Sequence, residues 1–172
     1  LFMLERVLEG VDEPILSQIP FIRTAFENIG MAKVATSGEE TRDRKFLRPY
    51  DKVEINRDQQ LWTAKRMAMA MADEGYHPPM PKRYALPGRE GLATLEMMLH
   101  NMKLTHWISS HDEKIARHLG RILTGGDTTI NDTVDQQTIL DLEREAFLSL
   151  CGEPKTQDRI AYMLVNNKPL RN

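Results

Sequence analysis

Apolar residues recur at intervals of three and four through most of this chain, the spacing that gives a helix one greasy face. Between Ile15 and Val34 the set is Ile19, Ile22, Ala25, Phe26 and Ile29. Ser37-Gly38-Glu39-Glu40 has the form of a capping box, which predicts a short helix to about Phe46. Past an extended "DKVEIN", Asn56 or Asp58 can cap a third helix with Leu61, Ala64, Ala68, Met71 and Ala72 on one side. Leu92, Leu95, Met98, Leu99 and Met102 form the next stripe, and Ser110-His111-Asp112-Glu113 offers a second capping box for a helix to about Leu123. Gly125 and Gly126 can take the left-handed backbone that stops helices. Thr133 or Asp135 then starts a helix using Ile139, Leu142, Ala146, Phe147 and Leu150, which Gly152 ends. Pro154 suits the first turn of a final helix carrying Ile160, Met163 and Leu164, and Pro169 closes it.

Only residues 52 to 56 alternate as a strand would, and no partner strand is visible, so the fold class is all-α, a helical bundle. Pro78, Pro79, Pro81 and Pro87 remove amide donors and disfavour helix before them. They divide the chain into a helical segment over 1–76, a Pro-rich linker over 77–88 and a second helical segment over 89–172.

Composition narrows the function classes more than the fold. The 172 residues are 41% hydrophobic and 28% charged, ordinary for a globular domain. With 23 basic against 25 acidic residues intermixed, the net charge of -2 creates no field for polyanions, so nucleic acid is not an expected partner. No apolar run is long enough to span a bilayer. The opening "LFMLERVLEG" lacks the marks of a signal peptide, and the single Cys151 excludes an internal disulfide; the cytoplasm is the expected compartment. The start at Leu1 suggests a piece of a longer protein.

Candidate chemistry is sparse. His77, His100, His106, His111 and His118 include no pair three or four apart, so no metal site is expected. His111 and His118 lie two turns apart, about 10 Å along a helix, and take structural or solvent-facing roles. "TGGDTT" lacks the Gly-Lys-Ser/Thr ending of a phosphate loop and reads as a helix stop. Cys151 ends an apolar face without a neighbouring base and behaves as a small hydrophobe. Methionines clustered at 67, 69 and 71 and at 97, 98 and 102 read as core filler. Arg42, Arg44, Lys45 and Arg48 are interleaved with Glu39, Glu40 and Asp43, the pattern of a solvated face laced with ion pairs. Glu143 and Glu145, two apart, point to different sides of a helix. No catalytic residue emerges.

Three stretches carry a family resemblance: "AFENIGMAKVATSGEETRDRKFL", "NRDQQLWTAKRMAMAMADEGYHPP" and, most specifically, "LEREAFLSLCGEPKTQDRIAYMLVNNKPLRN". They resemble the C-terminal region of the bacterial multifunctional 3-hydroxyacyl-CoA dehydrogenase/enoyl-CoA hydratase of fatty acid β-oxidation, in which a nucleotide-binding dehydrogenase part precedes a crotonase-like hydratase part. Glu143, Phe147 and Lys168-Pro169 follow the order of the general crotonase ending. Lys45 stands where that family usually has a turn glycine, and a lysine in a left-handed turn costs energy that glycine avoids.

The resemblance implies an oxidoreductase of lipid metabolism that uses NAD and acyl-CoA substrates in its complete form. The oxyanion donors, nucleotide loop and acid–base groups would lie outside this chain, which would hold no cofactor and be inactive alone. Its implied partners are the remainder of its own polypeptide and, in a homo-oligomer, a neighbouring subunit. Lys168 is the one binding residue implied, at the nucleotide end of CoA, with Arg171 beside it. The competing reading from the residues alone is an autonomous helical protein-interaction module.

Overall fold

The computed structural model describes residues 1–12 and 14–172. In chain order, the described elements are α1 (Phe2–Leu8), a 3-10 turn (Ile15–Gln18), α2 (Ile19–Gly30), α3 (Gly38–Asp43), a 3-10 turn (Arg57–Gln59), α4 (Gln60–Asp73), β1 (Arg83–Ala85), α5 (Gly88–Leu104), α6 (Ser110–Leu123), β2 (Thr133–Asp135), α7 (Gln136–Cys151) and α8 (Pro154–Asn166). The fold is therefore mostly helical, with one small two-stranded sheet.

These elements form two compact units, Leu1–Val34 with Lys82–Asn172, and Ala35–Pro81. The first thirty-four residues thus group with the second half of the chain, where the prolines suggested a single division at 77–88. The segment 77–88 also contains β1, which pairs antiparallel with β2 in the register Arg83 to Asp135, Tyr84 to Val134 and Ala85 to Thr133. Arg83 reinforces the pairing, its Nε donating to Thr133 Oγ1 at 2.9 Å and its Nη2 to Thr133 O at 2.8 Å.

In the larger unit, α1, α2, α5, α6 and α7 enclose a core of Leu4, Ile22, Ala25, Phe26, Leu86, Leu95, Leu99, Leu123, Val134, Ile139 and Ala146, each buried. A fully buried Leu, Ile or Phe contributes about 1.5–3 kcal/mol, so this cluster is the main stabilising term of the unit. Gly120 allows the helices to close on it: a Cβ there would lie 3.1 Å from Leu92 Cδ1 and 3.7 Å from the Phe26 ring. The helix α1 escaped the sequence reading, yet it buries Met3, Leu4 and Val7. Tyr84 ties β1 to it by donating a short hydrogen bond to Glu5 Oε1, and Gln136 Nε2 donates to both Glu5 Oε1 and Tyr84 Oη at 3.1 Å.

The smaller unit is thinly packed. The helix α4 buries only Thr63 and leaves Leu61 (84% exposed), Trp62, Met67, Met69 and Met71 in solvent. The methionines at 67, 69 and 71 therefore are not core filler in this unit, because no element of it covers them. Met97 is exposed as well, while Met98 and Met102 are half-buried.

Helix termination follows one device five times over. The paired bonds Lys33 N to Asn28 O with Ala32 N to Ile29 O recur as Phe46 to Thr41 with Lys45 to Arg42, Tyr76 to Met71 with Gly75 to Ala72, Trp107 to Met102 with His106 to Lys103, and Gly126 to Arg121 with Gly125 to Ile122. Each is a Schellman motif whose pivot is left-handed. Only Gly75 and Gly125 supply the residue that does this without strain; Ala32 (φ 48°), Lys45 (φ 64°) and His106 (φ 56°) do so with a Cβ.

Candidate functional site

The C-terminal hairpin of α7 and α8 and the tail after it contain Glu143, Phe147 and Lys168. Asp135 caps α7, its carboxylate accepting from Thr138 N and Thr138 Oγ1 at 2.8 Å each. Ile139 and Ala146 anchor the inner face of that helix in the core. Glu143 Oε1 lies 2.5 Å from the main-chain nitrogen of Leu1, whereas Glu145 accepts from Arg121 Nη1 at 3.3 Å. The two carboxylates diverge, as their spacing requires. Phe147 and Leu148 face solvent, 65% and 63% exposed.

Pro154 opens α8 as its spacing predicts. This helix buries no residue, yet it carries Ile160, Met163, Leu164 and Val165, the last two more than 80% exposed. What holds it to α6 is a set of polar contacts from that helix's first turn. His111 is buried, and its Nε2 lies 2.9 Å from Thr156 Oγ1. Arg159 Nη1 donates to Asp112 Oδ1 at 2.7 Å, and Lys114 Nζ pairs with Glu153 Oε1. Ser109 caps α6, accepting from Asp112 N at 3.1 Å while Asp112 Oδ2 accepts from Ser109 N at 2.9 Å. The box predicted on Ser110 is thus set one residue earlier, on Ser109 and Asp112, whose shorter carboxylate completes both bonds.

Electrostatics at this contact follow from the geometry. Burial, and then the Arg159 guanidinium, push the His111 pKa below the usual histidine value. Burial works to raise Asp112, but hydrogen bonds from Ser109 and Arg159 prevail and hold it below the ordinary aspartate value. The Lys114 ammonium does the same for Glu153.

The tail folds back along α8. Arg159 Nε donates to Asn172 Oδ1 at 2.8 Å, and Asn172 Nδ2 donates to Lys155 O at 3.1 Å. Asp158, Ala161, Tyr162, Val165, Asn166, Leu170 and Asn172 line the shallow groove so formed. Asn167, left-handed at φ 52°, ends the helix, and its amide donates to Met163 O at 2.8 Å. Lys168 therefore stands on the turn just beyond the helix, exposed, with no side-chain hydrogen bond or ion pair among the described residues. Arg171 is exposed on the same tail.

The other candidates stay apart. His77, His100 and His106 are exposed and His118 is half-buried. Among the described residues, no three His, Cys, Asp or Glu side chains gather to hold a metal ion. Cys151 is half-buried at the end of α7, where its carbonyl accepts from Gln157 Nε2 at 2.9 Å. No helix among the described residues is long and apolar enough to cross a membrane. The sequence reading missed Thr156 and Arg159, whose partners lie 45 and 47 residues away; no local spacing signals such a pair.

Comparison with known proteins gives one informative match. No family model matches the chain, and no solved structure matches it. Over 147 residues, 86% of its length, the chain is 44% identical to a protein of Bacillus subtilis (strain 168) and covers 19% of that relative. That relative is a probable 3-hydroxyacyl-CoA dehydrogenase, and the chain is similar to one segment of it, about a fifth of its length.

Proposed function

We propose that this chain is the helical C-terminal part of a multifunctional enzyme of fatty acid β-oxidation, a 3-hydroxyacyl-CoA dehydrogenase joined to an enoyl-CoA hydratase. In this reading it packs on the hydratase core and on a neighbouring subunit, and supports the acyl-CoA site without performing the chemistry. NAD and the acyl-CoA substrate belong to the complete enzyme, and Lys168 reaches toward the phosphates at the nucleotide end of CoA.

The observation that carries this reading is α8, a helix that buries none of its own residues while presenting Leu164 and Val165 to solvent. Phe147 and Leu148 add to the bare apolar area of the hairpin, and exposed patches of this kind mark surfaces that another body covers. A relative of which the chain covers only 19% supplies the chain that such a body requires. The bare side of α4 fits the same role in the smaller unit.

The test is to replace Leu164 and Val165 by Glu, both in the isolated chain and in the full-length enzyme. The isolated chain is expected to keep its helical circular dichroism, since neither side chain is in its core. The full-length enzyme is expected to lose hydratase activity or solubility. Full activity and solubility of the doubly substituted enzyme would instead support an autonomous interaction module.

A further inference from the structure

We infer that the first turns of α6 and α8 form an acid-labile latch, in which charging of His111 frees α8 from α6 while the rest of the larger unit stays folded. Helix α8 contributes no buried residue, so polar contacts supply much of its attachment and the core very little. Three successive contacts make the latch: His111 with Thr156, Asp112 with Arg159, and Lys114 with Glu153. The first of these sits on the His111 ring, which is only 4% exposed.

An imidazolium at that position meets three penalties. It loses solvation, it faces the Arg159 guanidinium and Lys155, and it sits in the first turn of α6 against the first turn of α8, where both helix dipoles present their positive ends. The Asp112 and Glu153 carboxylates oppose this, but Asp112 is already committed to Arg159 and Ser109, and Glu153 to Lys114. The free state of α8 has none of these penalties, so protons favour it. The sign is that of a histidine held neutral: attachment is complete above the ordinary histidine range and is lost as pH falls through the depressed value of the latched state. Asp112 and Glu153 are held below their ordinary values of 3.8 and 4.5, so between the ordinary histidine value and those, histidine protonation, and not loss of the ion pairs, drives release.

Amide hydrogen exchange on the 172-residue chain, corrected for intrinsic rates, tests this at pH 7 and pH 5. Protection across residues 157–166 is expected to fall severalfold relative to that across 116–123, the direction set by the lowered His111 pKa. His111→Gln, which keeps a hydrogen-bonding group but cannot charge in this range, should remove the part of the pH dependence that His111 supplies. Should that variant fail to fold, the nuclear magnetic resonance titration of His111 in the wild-type chain decides. A His111 titrating at the ordinary value, or α8 protection equal at the two pH values, would overturn the latch.

Discussion

Gly88 lies so close to Thr128 that a Cβ on it would stand 2.2 Å from the Thr128 carbonyl oxygen. The contact joins the start of α5 to the loop before β2. Gly88 N donates to Thr124 O at 2.8 Å, and Arg89 N donates to Thr128 O at 2.9 Å. With φ at 53°, Gly88 also occupies backbone space that a side chain resists. Two separate costs therefore fall on any substitution here. Gly88→Ala is expected to destabilise the larger unit by about 2–4 kcal/mol, the combined scale of backbone strain and overpacking. Urea denaturation followed by circular dichroism measures it; a loss below about 0.5 kcal/mol, the range of a neutral surface change, would contradict the close contact.

Lys45 makes the opposite prediction. It pivots a Schellman turn at φ 64°, in the position where the resembled family has glycine. A left-handed residue bearing a Cβ costs about 1–2 kcal/mol, and the greater freedom of glycine in the unfolded chain returns about 0.5–1 of this. Lys45→Gly should thus stabilise the smaller unit by about 0.5–1 kcal/mol. Trp62 fluorescence during denaturation, in a Trp107→Phe background, reports on that unit alone. A destabilised variant would mean that the lysine side chain makes a contribution larger than the strain.

These two turns show what could be read in advance. Gly125, Gly126 and Asp135 act within five residues of themselves, so spacing alone places the helix stop and narrows the cap to Thr133 or Asp135, of which the structure uses Asp135. Lys45 could be placed in a left-handed turn by its likeness to a glycine position, which no propensity would suggest. The pairing of β1 with β2 could not be read, because each strand is three residues long and the partners are fifty residues apart. The same holds for His111 and Thr156: one buried ring and one hydroxyl, with no pattern to bring them together. The methionines of α4 depart from the core-filler expectation for a different reason. An apolar stripe reports that a face wants cover and says nothing of whether the cover lies in the same chain.

Acid sensitivity of the smaller unit should trace to Glu40. A hydrogen bond from the Thr36 amide, then from the Thr36 hydroxyl and the Arg44 side chain, lowers its pKa to about 2. A carboxylate depressed in the folded state contributes stability that is full above its ordinary value of 4.5 and is lost as pH falls toward 2. Denaturation midpoints of the smaller unit should therefore decline between pH 4.5 and 2 in the wild type. The decline should be shallower in Glu40→Gln, which keeps an acceptor for Thr36 but does not titrate. Parallel declines in the two proteins would remove Glu40 from the account.

Lys168 separates the proposed function from a purely structural tail. Its side chain stands past the left-handed Asn167, exposed and unpaired among the described residues, so nothing in the chain competes for its charge. An ammonium so placed either complements the negative end of the α8 dipole, at about 0.3–1 kcal/mol, or engages a phosphate of CoA. In the full-length enzyme, Lys168→Ala should raise KM for the acyl-CoA substrate about fivefold, the effect of losing one exposed charge contact of about 1 kcal/mol. KM for a truncated acyl-pantetheine substrate, which lacks the nucleotide, should not change, and kcat should hold for both because Lys168 touches no reacting atom in this proposal. Equal KM values in the two proteins with both substrates, accompanied by a slightly lower melting temperature, would leave Lys168 as the stop of a helix and withdraw its contact with CoA.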